Sequence, residues 1–216
     1  MKLLDTLQAN KAEVLLASLL FLILVVPIAE EADAPNFSVG VLALPVMISA
    51  VLHVSTSRVH CATAAIIALI WFCLNIFVPD MATSVWPIAL YGLLLGFVAY
   101  ALLGHIFHAT HIDRSLIASA VTVYLLLGVI WGAVYLIIYR LNPEAFVVSN
   151  VDPIYATSHF LYYSYITLTT LGYGDFAPVS PTARILSAME AVTGVLYTGV
   201  LIARLISLFG KDLKEK

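Results

Sequence analysis

The chain has 216 residues, 62% of them hydrophobic and only 11% charged, with a formal net charge of −3. So little charge cannot clothe a soluble domain of this size, so the composition implies an all-α integral membrane protein. No basic block suggests a nucleic-acid partner. Cys61 and Cys73 share one apolar segment without metal-ligand spacing, so neither a zinc site nor a disulfide is indicated.

The first apolar segment runs from about Ala12 to Ile28, and Pro27 marks its expected exit. Glu30, Glu31 and Asp33 behind it make a poor cleavage region, so it reads as a retained helix rather than a signal peptide. The second segment, about Val39–Val54, is short for a bilayer and carries Pro45, an expected kink. A third spans Ala62–Val78 and stops at Pro79-Asp80. Pro87 opens a fourth that continues to about Leu103. That fourth segment contains no Lys, Arg, Asp or Glu, and its Gly92 and Gly96, one turn apart, predict close packing against a neighbouring helix. His105, His108 and His111 recur every third residue at its end, with His53 and His60 flanking another loop. Such a cluster suits proton or metal sensing, and equally the amphipathic edge of a membrane.

The fifth segment, Ser115–Ile138, is of full membrane length. Trp131, Tyr135 and Tyr139 near its end read as an interfacial aromatic belt. A polar connection, Arg140–Asp152, leads to a short helix expected over about Ala156–Thr169, capped by Asp152 with Pro153 or by Thr157. Then come Thr167-Leu168-Thr169-Thr170-Leu171-Gly172-Tyr173-Gly174-Asp175. At membrane depth, irregular backbone is tolerated only where it is buried in protein or lines a pathway. Glycines at 172 and 174 permit alternating backbone handedness, which turns successive carbonyls to one side. Such a ladder of oxygens can replace the hydration shell of a potassium ion. The last segment, Thr182–Phe209, opens with Ser180 as N-cap and Pro181 at the first position, and it is long enough to tilt or protrude.

With six spans and the N-terminus inside, Lys2, Lys11, Arg58, Arg114, Arg204, Lys211, Lys214 and Lys216 fall on the cytoplasmic side. Only Arg140 and Arg184 fall outside, beside most of the acidic residues. The same topology puts Asp175 on the outer side.

The nine residues 167–175 satisfy the pattern T-x-x-T-x-G-Y-G-D at every fixed position, and from Ser115 to about Phe209 the chain resembles the pore module of potassium channels. The resemblance implies an outer helix, a re-entrant pore helix, a selectivity-filter loop and an inner helix, hence six transmembrane helices in all. It divides the chain into a four-helix region, 1–110, without sensor charges, and a pore domain, 111–216. The main-chain carbonyls of Thr170, Leu171, Gly172, Tyr173 and Gly174 would bind K+, with the Thr170 hydroxyl at the inner mouth. Thr167 and Asp175 would support the filter, and Tyr162 and Tyr163 would meet Tyr173 to hold its diameter. Asp175 also has a plainer reading as a solvated loop carboxylate. Ile166 stands where some family members carry a carboxylate, which bears on inactivation rather than selectivity.

By ungapped alignment with the family, Gly194 matches the inner-helix hinge glycine, although close packing is an equally good reason for a glycine there. Val195, Thr198, Ile202 and Ile206 would line the cavity and inner gate. Glu190, one turn before Gly194, is expected against the pore-helix layer, as a functional group or as a polar strut. The implied function is a homotetrameric potassium-selective channel of the plasma membrane with cytoplasmic termini, bound to lipid and K+. No enzyme activity, cofactor or nucleic acid is implied. A carrier-type potassium uptake subunit and a non-conducting pore-like accessory subunit are the competing classes.

Overall fold

The computed structural model of the chain describes residues 11–32, 43–50, 58–77, 84–147 and 156–212. It is built of α1 (Lys11–Glu31), a helical stretch at 43–50, α2 (Arg58–Phe77), α3 (Val85–His108), α4 (Arg114–Leu141), α5 (Ala156–Leu168) and α6 (Pro181–Asp212). Two short strands, β1 (Phe146–Val147) and β2 (Ala177–Pro178), pair antiparallel, with Phe146 opposite Pro178 and Val147 opposite Ala177. Four of the described helices, α1, α3, α4 and most of α6, are long and apolar enough to cross a membrane. The fold is therefore that of an α-helical membrane protein.

Helix α1 does not end at Pro27, as the sequence predicts. It continues to Glu31, with the Ala32 amide still bonded to Ile28 O at 3.0 Å. A proline near a helix end forfeits one backbone bond. The stripe Leu15, Leu19, Leu22, Val26 and Glu30 is buried along its whole length, and this packing carries the helix past the proline. The expected second segment is described only at 43–50. Val39, Val54, Val78, Pro79, Asp80, Asp152, Pro153, His53, Lys2, Lys214 and Lys216 lie outside the described residues.

Helix α3 runs beyond the expected Leu103 to His108 and packs extensively, antiparallel, on α4. Five residues link them, and the last, Asp113, caps α4 by accepting from the Leu116 amide at 2.7 Å. The elements alternate in direction. Glu30 at the end of α1, Ile88 at the start of α3, Tyr139 at the end of α4 and Ala156 at the start of α5 meet at the end that carries β1 and β2. At the opposite end lie His105, Ser119 and Arg204.

Two clusters make the core. The larger is aliphatic and joins α1, α3 and α4 through residues such as Leu15, Leu94, Leu102 and Leu126. The second is aromatic and sits between α4, α5 and the β1–β2 pair: Tyr135, Phe146, Phe160, Tyr163 and Phe176, with ring centroids 4.8–5.9 Å apart. Trp131, Tyr135 and Tyr139, expected as an interfacial belt, pack in or against this aromatic layer. Tyr135 is fully buried, Trp131 stacks on it at 6.0 Å, and Tyr139 packs on Phe160 at 5.1 Å. Their four-residue spacing gathers them on the face of α4 that meets α5.

The close-packing glycines also differ from those expected. A Cβ on Gly96 would meet nothing within 4 Å, and one on Gly92 would make only ordinary contact with Ala133 at 3.9 Å. On α4, by contrast, a Cβ at Gly128 would fall 2.2 Å from the Tyr165 ring, and one at Gly132 would fall 3.2 Å from Phe160 O. Gly128 and Gly132, also one turn apart, form the groove into which α5 settles.

Candidate functional site

The site is the segment that leaves the C-terminus of α5. Helix α5 is 13 residues long, and its last carbonyls feed the segment directly. Ile166 O accepts from the amides of both Leu171 (2.8 Å) and Gly172 (3.0 Å), and Thr167 O accepts from the Thr170 amide at 2.9 Å. The Thr167 and Thr169 hydroxyls turn back onto Tyr163 O (2.8 Å) and Tyr165 O (2.6 Å). The segment therefore begins in a fixed register with the helix.

Backbone handedness then alternates. Thr170 (φ +59°), Gly172 (φ +51°) and Gly174 (φ +81°) are left-handed, and Thr170 is the one non-glycine residue with positive φ among the described residues. A left-handed residue at every second position turns successive carbonyls to a common side. The glycines are required by conformation rather than by crowding, since a Cβ on Gly172 or Gly174 would meet no atom within 4 Å. Thr170, Leu171, Gly172, Tyr173, Gly174 and Asp175 are all exposed on the single chain, Tyr173 at 68%.

The far end of the segment is anchored by Asp175, whose Oδ2 accepts from the Tyr162 hydroxyl at 2.8 Å. Phe176 then inserts into the aromatic cluster, 4.8 Å from Tyr163. Strand β2 follows, and Ala145 O accepts from the amides of Val179 (2.8 Å) and Ser180 (3.2 Å). Within the chain, then, Tyr162 bonds Asp175. Tyr163 is buried and pairs with Ser187 Oγ on α6 at 2.6 Å.

Helix α6 opens as its sequence predicts, with Ser180 Oγ accepting from the Ala183 amide at 3.2 Å and Pro181 in the first turn. It crosses behind the segment at two points. The first is Glu190, fully buried, whose Oε2 accepts from the Tyr135 hydroxyl of α4 at 2.6 Å. The Ser164 hydroxyl of α5 stands between Glu190 Oε1 (2.5 Å) and Gly128 O (2.7 Å). One carboxyl group thus links three helices directly behind the segment. Sequence placed Glu190 in this layer but missed Tyr135 and Ser164, which carry no signal beyond being polar at helical spacing.

The second crossing is Gly194. A Cβ there would lie 2.0 Å from Leu168 O, at the end of α5. Close approach accounts for this glycine, and α6 runs unbroken through it. Val195, Thr198, Ile202 and Ile206 share an exposed face of α6 next to Gly194, and the Thr198 hydroxyl donates to Gly194 O at 3.0 Å.

At the other end of the molecule, His105, His108 and His111 line one cleft of about 270 Å³ with Thr110 and Asp113. His108 Nδ1 lies 2.7 Å from Gly104 O, and His105 Nδ1 lies 3.4 Å from Ser119 Oγ. Among the described residues no group of three or more His, Cys, Asp or Glu stands close enough together to hold a metal ion. Next to the cleft, Arg204 of α6 donates through Nη2 to Phe107 O (2.8 Å) and Ala109 O (2.7 Å).

Residues 120–211 match the family model described as an ion channel. The two-pore potassium channel 3 of Arabidopsis thaliana is 32% identical over 109 residues, which are 49% of this chain and 22% of the relative. The two pore potassium channel c of Oryza sativa subsp. japonica is 31% identical over 67 residues, 31% of this chain and 14% of the relative. The two-pore potassium channel 2 of Arabidopsis thaliana is 30% identical over 97 residues, 45% of this chain and 19% of the relative. The matched stretch is thus less than a quarter of the length of each relative. No solved structure matches the chain.

Proposed function

We propose that the chain, whose residues 120–211 match an ion-channel family model, is one subunit of a potassium-selective channel, with α5 as the pore helix and 170–174 as the filter. The carrying observation is the alternation of left-handed backbone at Thr170, Gly172 and Gly174 inside the T-x-x-T-x-G-Y-G-D pattern. It aligns the carbonyls of Thr170, Leu171, Gly172, Tyr173 and Gly174 as K+ ligands, which take over from water as the ion enters. Thr167 and Asp175 brace the two ends of that ladder. Selectivity for potassium is supported by the names of the plant relatives, which are potassium channels.

Four copies assemble around the ion path. One filter strand offers carbonyls from one side only, so a closed ring needs further strands, and the family's fourfold arrangement supplies them from four copies of this one. Exposure supports the same reading: Tyr173 and the face of α6 carrying Val195, Thr198, Ile202 and Ile206 are open on one chain. In the ring that face lines the inner cavity.

The membrane topology is six spans. Helix α1 ends, and α3 begins, at the filter end of the molecule, which supports an even number of crossings between them. The apolar segments read from the sequence at about Val39–Val54 and at Ala62–Val78 would supply the two crossings. Residues 1–110 then form a four-helix region that docks on the pore domain, 111–216. The bias of Lys and Arg supports cytoplasmic termini, and the plasma membrane is the proposed location. Potassium flux into liposomes that contain only this protein tests the reading, and absence of flux from correctly assembled protein overturns it.

A further inference from the structure

Glu30 lies at the end of the first span, 128 residues from its hydrogen-bond partner, and is only 6% exposed. Its Oε2 accepts from the Ser158 amide at 3.0 Å. Thr157, expected from sequence as a possible cap, lies inside the first turn of α5. The first amides of any α-helix lack an intrahelical acceptor, and an acidic group beside them also opposes the positive end of the helix dipole. At α5 that acceptor comes from another span of the protein.

We propose that Glu30 is a positioning residue for the selectivity filter: the first span caps the pore helix and so sets where its other end delivers the filter. The inference rests on the reading of 170–174 as the filter. Helix α5 is 13 residues long, so the cap and the filter are about 20 Å apart, joined by one rigid element. At the filter end, Ile166 O holds the amides of Leu171 and Gly172 directly, with no intervening loop to absorb a shift. At the cap end, Leu15, Leu19, Leu22 and Val26 bury one stripe of α1, which packs on both α4 and α5. Helix α1 is thereby fixed to the outer helix and the pore helix together. Its continuation past Pro27 brings Glu30 to the end of α5; a helix that stopped at the proline would leave the carboxyl group short of it. The N-terminal region thus carries part of the filter's support and is more than a cover against lipid.

The test compares Glu30→Gln, which keeps an oxygen acceptor, with Glu30→Met, which keeps the bulk without an acceptor. Each variant is purified as the full chain, its assembled mass is measured, and potassium flux from liposomes is followed as external K+ is lowered. A filter held by its ions and its frame loses conduction at higher external K+ when the frame loosens. Glu30→Met should raise the K+ concentration needed for sustained flux several-fold and lower the K+/Na+ flux ratio, while Glu30→Gln stays within about twofold of wild type. Equal behaviour of Met and wild type, or equal impairment in Gln and Met, overturns the capping role. Should Glu30→Met fail to assemble, Ser158→Pro, which deletes the donor within the first turn where proline is tolerated, replaces it and should show the same K+ dependence. Unchanged flux in that variant likewise overturns the proposal. A wild-type protein that assembles but does not conduct contradicts the channel reading instead, so the two failures are distinguishable.

Discussion

The Tyr135 hydroxyl donates to Glu190 across 2.6 Å, and neither side chain is exposed at all. With Ser164 on its other oxygen, Glu190 binds the outer helix, the pore helix and the inner helix at one point. A buried polar group that loses its partner costs about 1–3 kcal/mol. Glu190→Gln keeps an acceptor for Tyr135 and can donate to Ser164, so it should melt within a few degrees of wild type. Tyr135→Phe should lower the stability of the assembled protein by about 1–3 kcal/mol, because it strands a Glu190 oxygen in the interior. Thermal unfolding in detergent measures both. Indifference to Tyr135→Phe would mean that the bond contributes nothing to the fold.

Gly194 separates two accounts of the inner helix. A Cβ there would lie 2.0 Å from Leu168 O, a backbone atom that cannot swing aside. Gly194→Ala should therefore push α6 off the pore helix, at the cost of about 1–3 kcal/mol typical of overpacking. Stability of the purified protein is the readout. A hinge role alone would change opening while leaving the melting temperature in place.

Arg204 ties the inner end of α6 to the α3–α4 linker through two carbonyls, Phe107 O and Ala109 O. Those carbonyls belong to the last turn of α3 and the residue after it, where a cation is favoured. Arg204→Gln should alter open probability in single-channel records and leave the K+/Na+ permeability ratio unchanged. A change in that ratio would place the effect of Arg204 in the filter rather than at the gate.

Steep voltage gating needs several charges that move in the membrane field, each worth about 2.3 kcal/mol per 100 mV. Helix α3 has no Lys, Arg, Asp or Glu between Val85 and His108, and its buried face is Leu94, Leu95, Val98, Ala99 and Leu102 against α4 and α1. The first four helices should behave as a static collar. Conductance measured against voltage in symmetric potassium should vary shallowly; an e-fold change over a few millivolts, kept after Arg58 and Arg114 are neutralised, would contradict this.

What was legible in the sequence is what local chemistry determines. Gly172 and Gly174 announce left-handed backbone, and Ser180-Pro181 announces a helix start, because those preferences act within a few residues. What depends on a distant partner was not legible. In a helix apolar all round, spacing cannot say whether Trp131, Tyr135 and Tyr139 face lipid or protein; the aromatic cluster decides it. Gly92/Gly96 and Gly128/Gly132 have the same spacing, and only the bulk of Tyr165 and the backbone of Phe160 distinguish them. Pro27 looked like an exit because its local cost is visible while the buried stripe that outweighs it belongs to the tertiary fold. Glu30, which the sequence shows only in an acidic stretch behind that expected exit, is instead part of α1 and accepts from the Ser158 amide.

The central claim is that the carbonyls of 170–174 select potassium, and ion flux in liposomes containing only wild-type or Gly172→Ala protein tests it most directly. Wild type should pass K+ and exclude Na+. Gly172→Ala, which puts a side chain on a residue at φ +51°, should distort the ladder and lose K+-selective flux while still assembling. Potassium-selective flux that survives Gly172→Ala unchanged would contradict the assignment of the filter.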